Sequence, residues 1–233
     1  MKHIPRFHCE AVLKEGYIIS IRKDQMYHAV TVLQLSRESH VRVFNQQFGE
    51  WDCIIRNIKE NLVECVSLLV APSTEKGPII ACSLIKPKKF EFLLEKITEL
   101  GVQEVIPIIS QYTQYKGINV KRYKRIIIEA CEQSKRLNIP KLHNTMKIID
   151  FLCKYDYHFN ILVGDWKFAE MKLADALQEK CIFLIGPEGG FSNDEYNLFK
   201  KYRNVVGFKF GKSTLKSETA AIAFASIWRE RFS

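Results

Sequence analysis

Two stretches of this sequence join glycine-rich turns to ionisable side chains in an order that could hold a ligand. The first is Ile182-Phe-Leu-Ile-Gly-Pro-Glu-Gly-Gly-Phe-Ser192, and the second is Phe210-Gly-Lys-Ser-Thr-Leu-Lys-Ser-Glu-Thr-Ala220. Each reads as an apolar strand running into a special loop and then a helix. Gly186-Pro187 interrupts the first apolar run, and Gly189-Gly190 allow dihedrals and close approaches that a Cβ would forbid. Ser192 and Glu195 have capping-box spacing for the helix that follows. In the second stretch Val205 to Phe210 is strand-like, Gly211 punctuates it, and Ser217 to Arg231 contains neither Pro nor Gly. A lone glycine cluster is most often a surface turn. Two such units side by side predict a ligand crevice at the carboxyl ends of their strands. That ligand is not held by a phosphate-binding P-loop. Gly211-Lys-Ser-Thr214 imitates the end of one, but the required earlier glycine would fall at position 206, which is Val, and Gly207 is one residue too near.

The elements that must position these loops follow from periodicity and punctuation. The first seventy or so residues read as short strands, Tyr17 to Ile21, Val41 to Phe44, Trp51 to Ile58 and Leu62 to Val70, with a helix-compatible insert from Asp24 to Leu35. Short, closely spaced strands predict a small barrel. Ala71 to Pro78 is polar and rich in breakers, so it reads as a linker, and domains of 1–72 and 73–233 are expected. Beyond it strand and helix alternate: Ile79 to Ile85, Phe90 to Leu100, Glu104 to Ile109, Lys121 to Leu137, Phe159 to Val163, Phe168 to Gln178, Cys181 to Ile185, Asp194 to Tyr202, Val205 to Phe210 and Glu218 to Arg231. Alternation of this kind implies an α/β domain on a largely parallel sheet. Within it, Phe90, Leu93, Leu94, Ile97 and Leu100 form a helical core stripe, which leaves Lys96 and Glu99 together on the other side as an ordinary ion pair. In the next helix Glu129, Glu132, Gln133 and Arg136 fall on one polar face, where Glu132 and Arg136 have the spacing of an i,i+4 pair.

Composition narrows the class. The chain has 233 residues, 35 Lys and Arg against 26 Asp and Glu, and a net charge of +9, which suits a polyanionic partner. The basic residues cluster at Lys86 to Lys89, Lys121 to Arg125, Lys135-Arg136 with Lys141, and Lys200 to Arg203. Taken alone such runs are as often solvated faces as nucleic-acid contacts. Seven cysteines, odd in number and never spaced C-x-x-C, argue against a disulfide framework and a zinc site and for a reducing cytosol. Met1 to His8 carries no apolar signal segment, and no apolar run approaches the ~20 residues of a membrane span.

Together the two glycine stretches closely resemble the paired signatures of bacterial small-subunit ribosomal RNA uridine N3-methyltransferases, a family of the trefoil-knotted SPOUT class. The resemblance extends through Ile4-Pro-Arg-Phe7, His28, Val32-Leu33, Lys96-x-Thr-Glu-Leu-Gly-Val102, Glu129-Ala-Cys-Glu-Gln133, Arg136, Ile139 and Pro140. It implies an α/β fold in which a PUA-like amino-terminal β-barrel precedes a knotted methyltransferase domain, a homodimer in the cytoplasm, no metal, and 16S ribosomal RNA or the small ribosomal subunit as partner. The implied cofactor is S-adenosylmethionine, cradled by Val163, Gly164, Ile185, Gly186, Pro187, Glu188, Gly189, Gly190, Phe210, Gly211 and Leu215. RNA contacts are implied for Arg6, Lys96, Glu99, Gln133 and Arg136.

The implied reaction is in-line attack of uridine N3 on a sulfonium methyl. Because N3 carries a proton, the enzyme must help remove it and stabilise charge spreading onto O2 and O4. Glu218 is the candidate acceptor or positioning group and Lys216 the candidate charge stabiliser. The chain departs from the family pattern where Lys216, Gln34 and Gln111-Tyr112 stand in place of Arg-containing sequence, and each departure loses a bidentate fork. Two further readings are therefore kept: a SPOUT methyltransferase for another RNA, and an RNA-binding member of the fold with weak catalysis.

Overall fold

The structure is a computed structural model that describes residues 4–115, 117–156 and 158–232. It divides into two compact units. One comprises the chain up to Glu75 together with Cys131–Ile139, and the other Lys76–Ala130 with the chain from Pro140 onward.

The first unit is built on a five-stranded sheet in the order β1-β3-β4-β5-β2. Its strands are β1 (Arg6–His8), β2 (Ile18–Ser20), β3 (His40–Asn45), β4 (Gly49–Asn57) and β5 (Leu62–Val70). β1 pairs with β3 in parallel, and every other pairing is antiparallel. Alternation along the strands turns Val41, Val43, Cys53, Ile55, Val63 and Cys65 to one face, where they bury against Phe7, Ile21 and Met26. Register shifts between β4 and β5 add bulges, which bend and twist paired strands and curl this sheet into a half-barrel. The insert expected from Asp24 to Leu35 is a short α-helix, α1 (Lys23–Tyr27), continued by a π turn over His28–Val32.

Arg6 is 7% exposed and faces inward. Its Nε donates to Glu50 Oε2 at 2.7 Å, Nη1 to the carbonyl of Cys131 at 2.7 Å and Nη2 to the carbonyl of Arg136 at 2.9 Å, while the guanidinium lies 3.5 Å over the Phe44 ring. It fastens this unit's core and also lines the cavity described below. The expected pairing of Glu132 with Arg136 is replaced. The helix that carries Glu132, α3 (Val120–Ser134), stops at Ser134, and Lys135 takes a left-handed φ of 62°. Arg136 thus lies beyond the helix, buried, and donates to Glu75 at 3.0 Å, while Glu132 accepts from His8 N and Gln25 Nε2.

The second unit carries an eight-stranded, all-parallel sheet in the order β11-β13-β10-β12-β6-β7-β8, with β9 also on β7. The strands are β6 (Ile79–Ser83), β7 (Glu104–Ile109), β8 (Lys141–Leu142), β9 (Met146–Lys147), β10 (Asn160–Gly164), β11 (Met171–Lys172), β12 (Cys181–Ile185) and β13 (Val205–Lys209). Its other helices are α2 (Pro87–Glu99), α4 (Ile148–Tyr155), α5 (Leu173–Ala176), α6 (Asn193–Phe199) and α7 (Ser217–Phe232). β6 and β12 are buried along their whole length, as strands covered on both faces must be. The helix-like stretch from Phe168 to Gln178 is mostly not helical. Met171-Lys172 is captured as an edge strand by β13, which leaves only the four residues of α5. Among the described residues no helix is long and apolar enough to cross a membrane.

Removing one member of a buried ion pair strands the other, at a cost of about 3 kcal/mol or more. Arg6→Ala is therefore expected to lower the stability of the full chain by about that amount. Arg6→Lys should recover only part of it, because an ammonium cannot serve Glu50 and two carbonyls in one plane. Urea unfolding of the three proteins measures this, and a loss within about 0.5 kcal/mol, the range of an ordinary surface change, would contradict it.

Candidate active site

Parallel strands end on the same side, and β13, β10 and β12 are immediate neighbours. The loops that follow them therefore emerge side by side, bringing together Val163-Gly164, Ile185 to Gly190, and Phe210-Gly211 with the run through Leu215 to Glu218. Two hydrogen bonds tie these loops. Ser217 Oγ, buried at the start of α7, donates to the Gly186 carbonyl at 2.8 Å. Tyr196 Oη, on α6, donates to Asp165 Oδ2 at 2.8 Å, joining the loop after β10 to the helix after the glycine loop. Burial is the largest cause that pushes the Tyr196 phenol above its ordinary range, and the Asp165 carboxylate adds to it.

The capping box at Ser192 is present. Ser192 Oγ accepts from Glu195 N at 3.2 Å, and Glu195 Oε2 accepts from Ser192 N at 2.8 Å. Glu195 does more than its spacing predicts, because its other oxygen accepts from Gln111 N at 2.8 Å and anchors the loop after β7. At the ends of β6 and β7, Ser83 Oγ donates to Ser110 Oγ at 3.1 Å, and Ser110 N to Thr113 Oγ1 at 2.9 Å.

Gly190 and Gly164 are glycines for different reasons. Gly190 has φ +72°, but a Cβ there would come no nearer than 3.5 Å to any neighbour, so the dihedral is what excludes other residues. At Gly164 a Cβ would lie 2.5 Å from the Phe183 ring. The aromatic layer of Phe183, Phe208 and Phe210 thus presses directly against the backbone of the β10 end.

The charges of the site centre on a residue that sequence reading left in a basic run. Lys89 Nζ lies 3.1 Å from Glu188 Oε1 and 3.9 Å from Glu218 Oε1. The hydrogen bond to Glu188, with further help from the Glu218 charge, raises the Lys89 ammonium above its ordinary value. For Glu188, burial pushes the carboxyl up, but the backbone hydrogen bond and Lys89 outweigh it and the net shift is downward. Glu218 Oε2 is buried and makes no hydrogen bond among the described residues. Lys216 is exposed, so the cation beside Glu218 is Lys89. Sequence signals existed for the others that were missed. Asp165 is an acid one residue past a strand end, and Ser217 lies inside the second glycine stretch.

Lys96 donates to Glu99 at 2.9 Å and Glu95 at 2.7 Å, the ion pair its spacing predicts. Gln133 is exposed and, in the first unit, borders a cavity of about 170 Å³ with His28, Arg42, Lys135, Pro5 and Leu33.

Residues 75–229 match the RNA methyltransferase domain, and an RNA methyltransferase is the class that this parallel sheet and its looped edge define. Ribosomal RNA small subunit methyltransferase E of Rickettsia conorii is 33% identical over 224 residues, covering 93% of this chain and 91% of its own. The chain belongs to the ribosomal RNA small subunit methyltransferase E family. The Aquifex aeolicus member is 30% identical over 227 residues, covering 92% of this chain and 95% of its own. Among solved structures, a Legionella pneumophila protein in complex with the bound cofactor SAM superposes with a TM-score of 0.87 at 25% identity over 98% of both chains. The Neisseria gonorrhoeae methyltransferase E bound to S-adenosyl methionine shares the fold, with a TM-score of 0.87 at 22% identity over 99% of this chain and 100% of that one.

A tyrosine whose pKa is raised on folding stabilises the fold fully below its unfolded value, ~10, and loses that contribution as pH climbs toward the folded value. Tyr196→Phe should therefore flatten the alkaline fall in stability. Urea midpoints of wild type and variant, compared between pH ~9 and ~11, check this. Parallel slopes would mean that Tyr196 is not held in its protonated form.

Proposed function

We propose that this protein methylates N3 of a uridine in 16S ribosomal RNA with S-adenosylmethionine as donor, acting as a homodimer in the cytoplasm. The observation that carries the reading is the convergence of three tied loops on adjacent parallel strands, beside a buried carboxylate oxygen that lacks a donor. Such a site fits the cofactor. Gly189 is exposed and Gly190 partly so, and the backbone here can offer N–H and C=O groups to an adenine without a side chain intervening. Glu188 and Glu218 give the crevice the negative charge that a sulfonium prefers. When bound, S-adenosylmethionine supplies an electrophilic methyl group, and no metal enters the reaction.

The work left to the chain is orientation and proton handling. Val163, Gly164, Ile185 to Gly190, Phe210, Gly211 and Leu215 hold the donor, with Ser217 locking the second loop against the first. Glu218 receives the N3 proton as N3 bonds to the methyl carbon and the carbon–sulfur bond breaks. Lys216 is exposed on the loop leading into α7, where it can meet RNA, and Lys96 and Glu99 provide a further polar face. On this reading the second unit is of the trefoil-knotted class. Residues 73–233 form the methyltransferase domain, whose exposed Phe92 and Ile227 suit a dimer face.

Residues 1–72 form the PUA-like barrel that grips RNA. Arg42, His28, Gln133 and Lys135 around the first unit's cavity offer cations and an amide for phosphate and base, while Arg6 and Arg136 act by shaping that wall. The loss of Arg at Gln34, Tyr112 and Lys216 favours two alternatives: a methyltransferase whose RNA differs and, as the second reading, an RNA-binding protein of the same fold with little turnover.

Mass mapping of nucleosides in small-subunit ribosomal RNA incubated with the protein and S-adenosylmethionine should reveal 3-methyluridine. RNA binding without methylation would support the second reading. Gly190→Val forces a β-branched residue into a left-handed φ and should weaken cofactor affinity at least about tenfold, by calorimetry on a protein still folded by circular dichroism. Unchanged affinity would remove the glycine loop from the cofactor site.

A further inference from the structure

Lys89 stands in the first turn of α2, within Lys86-Pro-Lys-Lys89. It meets carboxylates delivered by two different elements, Glu188 in the loop after β12 and Glu218 in the first turn of α7. The geometry is asymmetric. Glu188 takes a hydrogen bond from Lys89 at 3.1 Å, whereas Glu218 Oε1 stands off at 3.9 Å. Glu218 is the more enclosed of the two carboxylates, its side chain 13% exposed against 43% for Glu188. Its Oε2 is buried and, among the described residues, accepts nothing. A buried carboxylate oxygen without a donor is costly, and a functional site is where such a group persists. The ammonium has three donors, and Glu188 occupies one in this structure. Side by side, the two groups can therefore present an N–H donor and a carboxylate acceptor.

Among the pyrimidines this pattern is complementary to uracil. Uracil offers N3–H as a donor with a carbonyl acceptor beside it. Cytosine offers a bare N3 acceptor beside an amino donor, which would face Glu218 and Lys89 with the wrong sign at both points. We propose that Lys89 and Glu218 together read the imide edge of the acceptor base, Lys89 donating to a ring carbonyl and the Glu218 carboxylate accepting the N3 proton. This rests on the uridine N3 reading above and deepens it. During transfer the N3–H bond breaks toward Glu218, the N3 pair forms the bond to the methyl carbon, the carbon–sulfur pair stays with sulfur, and the proton then leaves Glu218 for water. Lys89 offsets the charge that grows on the carbonyl oxygen, and Glu188 positions Lys89. The charge-stabilising role expected of Lys216 falls to Lys89.

The experiment uses the full chain and small subunits reconstituted on 16S ribosomal RNA transcribed with uridine or with 4-thiouridine or 2-thiouridine. Losing a preorganised donor to developing charge costs about 100-fold or more. Lys89→Ala should therefore lower the single-turnover rate on uridine RNA by about that factor, with cofactor affinity by calorimetry changed less than about threefold, and Lys89→Arg should restore part of the rate. Wild type should be slowed by sulfur at the carbonyl that Lys89 contacts, and Lys89→Ala should be indifferent to it. A Lys89→Ala protein with the wild-type rate, or with the same thio effect as wild type, would overturn the proposal while leaving the uridine reading intact. Methyl found by mass mapping on an atom other than uridine N3 would overturn both.

Discussion

β12 is buried along all five residues and lies between β10 and β6, each parallel to it. Parallel pairing delivers every strand's carboxyl end to the same edge, so the position of β12 decides which loops can meet. With β13 on the far side of β10, the sequence-distant loops after Gly164, Ile185 and Lys209 become neighbours. Nothing in the loops themselves could do this. Their lengths and glycines only make use of an edge that the sheet creates. The Ser217 to Gly186 bond and the Tyr196 to Asp165 bond then convert proximity into fixed geometry, each spending one side chain to join two loops.

The first unit depends on a different kind of constraint. Its small sheet buries a modest core, and the short segment from Cys131 to Ile139 completes it by placing Cys131 and Leu137 against Phe44. Segments that end a helix expose carbonyls without intrahelical partners. Arg6 satisfies two carbonyls in this segment, those of Cys131 and Arg136, and neutralises Glu50 at the same time. One guanidinium thus joins the amino-terminal strand, the middle of the sheet and the chain after α3. Three of its five N–H donors are thus committed to the fold, so a residue of a basic, nucleic-acid-compatible chain can serve first as a structural fastener.

What could be read in the sequence follows the reach of each signal. β5, β7 and β12 match their expected spans because alternation or an unbroken apolar run is local and bounded by punctuation. α4 went unread although Ile148, Phe151, Leu152 and Tyr155 are spaced as a buried helical stripe. The segment around it held no strong start or stop. Phe168 to Gln178 was misread because an edge pairing with β13, which no local pattern reports, overrides helical propensity. Arg136 left its expected helix face because Lys135, with no glycine to announce it, adopts a left-handed φ. The glycine loops were legible as loops, but the partner that organises their charge was not. A lysine in a basic run looks like a solvated face until the fold sets two sequence-distant glutamates within 4 Å of it.

The electrostatics operate on two length scales that do not conflict. The chain carries +9 overall, a field that draws a polyanion from a distance and fades over about 8 to 10 Å in physiological salt. Inside the crevice, at separations of 3 to 4 Å, Glu188 and Glu218 both face Lys89, and Lys86 adds positive charge at Glu188 from farther off. At such distances direct contacts dominate over the screened sum of remote lysines. Two carboxylates from distant parts of the sequence thus share one ammonium at close range, although the protein as a whole repels cations.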